Sequence, residues 1–166
     1  VIAFAESIGS SQKELFEQIS LRNLQDLTLW TQEDLHSYMK ELLERAIELR
    51  DRESESRSKR ILQKAMEYIE ANYAQESLSL NKVASITNVS ANYFSAMFSQ
   101  VMKMTFTEYV TQKRMEQAKK LLRHSDKHSG DIALEVGYKD PHYFSFVFKK
   151  TQGCSPREYR NEASAI

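Results

Sequence analysis

The chain has 166 residues, of which 41% are hydrophobic and 28% charged, a composition that suits one or two small globular domains and excludes disorder throughout. Its formal net charge is zero, yet residues 1–56 hold 6 Lys and Arg against 12 Asp and Glu, whereas residues 57–166 hold 17 against 11. Balances of −6 and +6 separate an acidic segment from a basic one and keep a nucleic-acid partner open for the second.

A lone cysteine, Cys154, excludes an intrachain disulfide and fits a reducing compartment, so a cytoplasmic location is expected. The apolar run Val1–Ala5 is too short for a membrane span or the core of a signal peptide. It reads either as the last strand of an upstream domain or as a packed extension. Because the chain begins with Val on that run, it is expected to be a piece of a longer protein.

Ser11 and Glu14 have the spacing of a capping box, and Leu15, Phe16, Ile19, Leu24 and Leu27 predict one or two helices up to about Trp30. Thr31 restarts the pattern as a cap. Leu35, Met39, Leu42, Ala46 and Leu49 then alternate four- and three-residue steps, the seam of a coiled coil. Two readings stay open: a homodimer through those five residues, or packing against the preceding helix of the same chain. Asp51–Lys59, DRESESRSK, is wholly polar and either extends the helix through solvent or forms a hinge, which sets the expected division into an acidic helical segment, 1–56, and a basic domain, 57–166.

In the basic half, Ile61, Leu62, Ala65, Met66, Ile69 and Tyr73 predict a helix ending between Asn72 and Gln75. Leu80–Ile86 and Ala91–Met102 then form a first helix-turn-helix, at about 78–102. Phe106–Arg123 contains no helix breaker and carries the stripe Phe106, Tyr109, Val110, Met115, Ala118, Leu121 and Leu122, so it reads as one long helix. A second helix-turn-helix follows at about 129–152: Ile132, Ala133 and Val136 give a short apolar face, Gly137 the turn, Asp140 a cap and Pro141 a first helical position. Tyr143, Phe144, Val147 and Phe148 then recur as a buried stripe, leaving His142, Ser145, Phe146, Lys149 and Lys150 outward.

The two units are copies. Val83-Ala84 answers Ile132-Ala133, Asn88 stands where Gly137 stands, Tyr93-Phe94-Ser95-x-x-Phe98 matches Tyr143-Phe144-Ser145-x-x-Phe148, and Glu108-Tyr109 matches Glu158-Tyr159. An all-α fold follows: two helix-turn-helix units joined by a long helix and preceded by a helical segment. Such a second helix suits a DNA major groove. The long helix, at 1.5 Å per residue, spans about 27 Å, comparable with the ~34 Å pitch of B-DNA, so two recognition helices could enter successive major grooves. Base readout is assigned to Asn92, Ser95, Ala96 and Ser99 in the first unit and His142, Ser145, Phe146 and Lys149 in the second. Asn92 can pair bidentately with adenine, while Ala96 and Phe146 can touch a thymine methyl or stack. Ser90, Lys149, Lys150 and Arg157 are assigned to phosphates, and Arg160 is a candidate structural residue. Lys113, Arg114, Lys119, Lys120 and Arg123 would add to the positive field of the long helix.

These motifs resemble the DNA-binding domain of the AraC/XylS family of bacterial transcription regulators. The resemblance covers roughly Arg57–Arg160 and is most specific in D-I-A-x-x-V-G-Y-x-D-x-x-Y-F-S-x-x-F-K-K-x-x-G-x-S-P-x-E-Y-R, from Asp131, and in R-M-E-Q-A-K-K-L-L from Arg114. It implies a transcription regulator of the kind found as the output domain of a two-component system, an activator in one reading, with the sign of regulation left open by the sequence. Double-stranded DNA and RNA polymerase would be its partners, with no cofactor and an upstream signalling module such as a receiver. Ala96 and Phe146 stand where the family commonly has arginine, Ser99 where it has lysine, Lys103 where it has glycine and Ser129 where it has an apolar residue.

No glycine-rich phosphate loop, HExxH pattern or nucleophile elbow supports an enzyme. His124 and His128 have an i, i+4 spacing that Cys154 could join, but such pairs are mostly surface residues and no metal site is expected. The alternative function is a helical protein-interaction module with weakened DNA binding, favoured by Ala96, Ser99 and Phe146.

Overall fold

The computed structural model describes residues 31–164. The expectations for Val1–Ala5, for the Ser11 box and for the helices before Trp30 lie outside the described residues. All regular structure among them is helical: α1 (Gln32–Asn72), α2 (Leu80–Ile86), α3 (Ala91–Met102), α4 (Phe106–His124), α5 (Ser129–Glu135), α6 (Pro141–Gln152) and α7 (Pro156–Ser164). The described residues divide into two compact units, one up to Lys59 and one from Arg60 onward.

In the first unit, Thr31 caps α1 reciprocally with Asp34: the Thr31 amide donates to Asp34 Oδ2 at 2.9 Å and the Asp34 amide donates to Thr31 Oγ1 at 3.2 Å. The Thr31 hydroxyl, which donates to the same Asp34 Oδ2 at 2.6 Å, and the Thr31 amide hold the Asp34 carboxyl below its usual pKa. The polar run Asp51–Lys59 is helical throughout. Glu41 with Arg45 and Glu55 with Lys59 pair one turn apart, each contact adding only a few tenths of a kcal/mol on such an exposed surface. The predicted seam divides. Leu42 and Ala46 are buried and Leu49 half-buried within the single chain, while Leu35 and Met39 are exposed together with Leu43 and Ile47.

The second unit has two cores. The first gathers Ile61, Ala65 and Ile69 of α1, Val83 and Ala84 of α2, Phe94, Met97 and Phe98 of α3, and Phe106 and Val110 of α4. In the second, Met115, Ala118 and Leu122 of α4 meet Ile132, Ala133, Val136 and Tyr138, then Phe144, Val147 and Phe148 of α6. The long helix α4 therefore places its first half in one core and its second half in the other. Each fully buried phenylalanine contributes roughly 2–3 kcal/mol of transfer free energy, and Phe94, Phe98, Phe144 and Phe148 are all fully buried.

The internal repeat extends to backbone hydrogen bonds. In the first turn the Asn88 amide donates to Ser85 O at 3.1 Å and the Val89 amide to Ala84 O at 3.0 Å. In the second, Gly137 donates to Leu134 O at 3.1 Å and Tyr138 to Ala133 O at 2.8 Å. Both are six-to-one closures around a left-handed residue, Asn88 at φ 56° and Gly137 at φ 94°. The repeat closes on matching capping boxes, Thr105 with Glu108 before α4 and Ser155 with Glu158 before α7. The hydrogen bonds from the amide and hydroxyl of each cap residue lower the pKa of Glu108 and Glu158.

Candidate nucleic-acid interface

Each recognition helix is aimed by its start. Ser90 Oγ accepts from the Tyr93 amide at 3.2 Å and begins α3; Asp140 Oδ1 accepts from the His142 amide at 2.8 Å, ahead of Pro141, and begins α6. With Phe94, Met97 and Phe98 buried below α3, its outer face carries Asn92 and Ala96 exposed, Ser95 and Ser99 half-buried. The corresponding face of α6 carries His142, Phe146, Lys149 and Lys150 exposed and Ser145 half-buried, and Arg157 is exposed at the start of α7. The Ser145 hydroxyl donates to Pro141 O at 2.9 Å, which leaves its oxygen as an acceptor.

Tyr143 departs from the predicted stripe. It is 57% exposed and stacks on Phe146, itself 62% exposed, with ring centroids 6.5 Å apart and planes 27° from parallel. The Tyr138 ring centroid lies 6.1 Å from that of Tyr143. The reason is angular: at ~100° per residue, position 143 stands about 90° from the centre of the line formed by Phe144, Val147 and Phe148. That offset was readable in the spacing, and it adds Tyr143 to the outward residues. Tyr93 repeats the displacement in α3, at 41% exposure.

The basic residues of α4 do not all face solvent. Lys113 pairs with Glu70 of α1, which raises the Lys113 pKa. Arg114 donates through Nε to Tyr73 O at 2.8 Å and through Nη2 to Gln75 O at 3.0 Å. Arg123 lies over the Tyr159 ring, 5.0 Å from its centroid. Arg160 donates to Leu122 O at 3.3 Å and to Lys127 O, consistent with a structural role. Of the five cations assigned to the field of the long helix, Lys113, Arg114 and Arg123 are thus engaged within the unit.

The histidine pair is not on one helix. His124 ends α4 and His128 precedes α5, so the i, i+4 geometry of a helical metal pair does not arise. Among the described residues no group of three or more His, Cys, Asp and Glu could hold a metal ion, and no helix is long and apolar enough to cross a membrane.

Comparison with known proteins decides the family. A helix-turn-helix domain family matches residues 83–162. The C-terminal domain of AraT, a response regulator from Geobacillus stearothermophilus, is 40% identical with a TM-score of 0.60, over 61% of this chain and 84% of that one. The chain belongs to the AraC-type family of DNA-binding transcription regulators. The melibiose operon regulatory protein of Escherichia coli K12 is 38% identical over 93 residues, 56% of this chain and 30% of that protein. The DNA-binding domain of AdpA, solved with a target DNA, shares the fold at TM-score 0.60 and 21% identity, over 63% of this chain and 93% of that one. The chain spans about a third of the length of the curated relatives it matches.

Proposed function

We propose that this chain binds one face of a DNA duplex through two successive major grooves and serves as the output region of a cytoplasmic response regulator that activates transcription. The observation that carries the reading is the sharing of α4 between two cores, because it gives both recognition helices one common support. The response-regulator part rests on the likeness to AraT. On α3, Asn92 is the bidentate reader of adenine, with Ser95 and Ser99 as single hydrogen-bond partners and Ala96 against a thymine methyl. On α6, His142 and Ser145 offer hydrogen bonds, while Phe146 offers an apolar plate for thymine methyls. Ser90, Lys149, Lys150 and Arg157 hold phosphates and fix the register. RNA polymerase is the expected protein partner.

A homodimer through the acidic segment would use Leu35 and Met39, with Leu43 and Ile47, rather than the whole seam, since Leu42 and Ala46 are already covered. Light scattering at tens of micromolar reads this directly; a monomer there leaves the seam to intrachain packing. The DNA reading is tested by selecting duplexes from a random pool with the full chain and measuring mobility shifts across a salt series. Affinity should fall with salt at a slope near −0.9 per phosphate contacted. The protein-interaction alternative, which Ala96 and Phe146 favour, requires instead that no sequence be enriched.

A further inference from the structure

The two helix-turn-helix units share α4, but a second connection runs beside it. Arg114 lies on α4 between Val110, which enters the first core, and Met115, which enters the second. Its Nε and Nη2 donate to the carbonyls of Tyr73 and Gln75, just beyond the last residue of α1, and Tyr73 packs against the first core. Carbonyls at a helix end lack intrahelical partners, and a guanidinium fork can serve two of them at fixed angles. The same guanidinium lies 5.2 Å from the centroid of Tyr138, a buried member of the second core, in the turn of the second unit.

The turn is also pressed against that segment. A Cβ on Gly137 would stand 2.7 Å from Ala74 O, 2.9 Å from Ala74 C and 3.0 Å from Arg114 Nη2. Lys139 pairs with Glu76 at 3.4 Å across the same boundary, an exposed contact of little energy. Residues 73–76, Arg114 and the turn at 137–139 thus form one joint that touches both units.

We propose that Arg114 is a positioning residue that fixes the second helix-turn-helix unit relative to the first, and so sets the base-pair spacing at which both recognition helices engage. This rests on the reading that both helices enter one duplex. One inserted base pair turns the second half-site by about 34° and moves it about 3.4 Å, a change that a fixed joint resists and a loosened joint absorbs.

The test uses the full chain and its Arg114→Met variant, which keeps most of the aliphatic stem and removes both carbonyl bonds and the cation over Tyr138. Affinity is measured on the selected duplex, on the same duplex with one base pair inserted between half-sites, and on each half-site alone. The penalty for the insertion, a ratio from which any general loss of attraction seen on the single half-sites divides out, should shrink by about 3- to 10-fold in the variant. Independently of DNA, spin labels at positions 100 and 150, in a Cys154→Ser background, should give a broader distance distribution in the variant. An unchanged penalty and an unchanged distribution in a folded variant would overturn the proposal. Should Arg114→Met unfold, Arg114→Lys, which keeps the charge but cannot serve both carbonyls, is read on the same two scales. If the wild-type chain selects no duplex, the functional reading fails, while the label distances still decide the role of Arg114.

Discussion

The two helix-turn-helix units share a backbone and differ at their working faces. Both close their turns with a six-to-one bond around a left-handed residue, bury a Phe-x-x-x-Phe pair and end on a capping box. The first presents Asn92, Ser95, Ala96 and Ser99, short side chains that hydrogen-bond or merely fit, beside one exposed aromatic, Tyr93. The second presents His142, Tyr143, Phe146, Lys149 and Lys150, two of them aromatic and two cationic. On the proposed reading, a duplicated scaffold would support an unequal division of labour, with bidentate base readout in the first unit and the cationic phosphate contacts and apolar plate in the second. The turns are unequal as well. Asn88 is exposed, whereas Gly137 is buried against Ala74 and Arg114.

The largest effect is expected from breaking that last difference. Gly137→Ala places a Cβ 2.7 Å from a backbone oxygen at φ 94°, so strain and a steric clash act together, and a loss of about 3–5 kcal/mol is expected. Asn88→Ala, at an exposed left-handed position, should cost about 1 kcal/mol. Chemical denaturation of the two variants measures both, and equal losses would mean that the joint with residues 73–76 places no constraint on the second turn.

The division of labour is sharpened by Asn92→Ala against Lys149→Ala. The first should lose about 1–3 kcal/mol at the selected site and little on random DNA. The second should weaken both alike, by about 1 kcal/mol, and flatten the salt slope by about one unit. Titrations by fluorescence anisotropy at several salt concentrations separate them. A uniform loss from both substitutions would make Asn92 a phosphate contact and leave base recognition to Ser95, His142 and Ser145.

Much of this architecture was legible because the signals were local. Apolar spacing and caps located α2, α3 and α6 at their observed ends, since Ser90, Asp140 and Pro141 fix helix starts through bonds within a few residues. Tyr143 is aromatic yet exposed, because its helical angle and not its apolar character sets which way it faces. The engagement of Arg114 and Lys113 was not legible: their partners Tyr73, Gln75 and Glu70 are about forty residues away, and one long amphipathic helix looks the same whether its cations face solvent or a neighbouring carbonyl. Which partner the seam from Leu35 to Leu49 packs against was not legible for a related reason, because periodicity shows that a face is apolar without showing what covers it.

The smallest expected effect concerns the ends of the recognition helices, where the units differ by one residue. Gly153 closes α6 at φ 86°, and Lys103 closes α3 at φ 58° with the same amide-to-carbonyl bond, from Lys103 to Ser99 O at 3.0 Å and from Gly153 to Lys149 O at 2.9 Å. A lysine Cβ is disfavoured in the left-handed region, and the shared bond gives it no compensation that glycine lacks. Lys103→Gly should therefore stabilise the first unit by about 0.5–1 kcal/mol and raise Tm by a few degrees, about 2–6 °C for a unit of this size. Affinity for DNA decides whether the lysine is kept for its charge: a weaker, flatter salt response in the stabilised variant would place Lys103 on a phosphate and reduce the contrast between the units, whereas unchanged binding would leave Ser90 as the first unit's phosphate contact and the cationic contacts to the second unit.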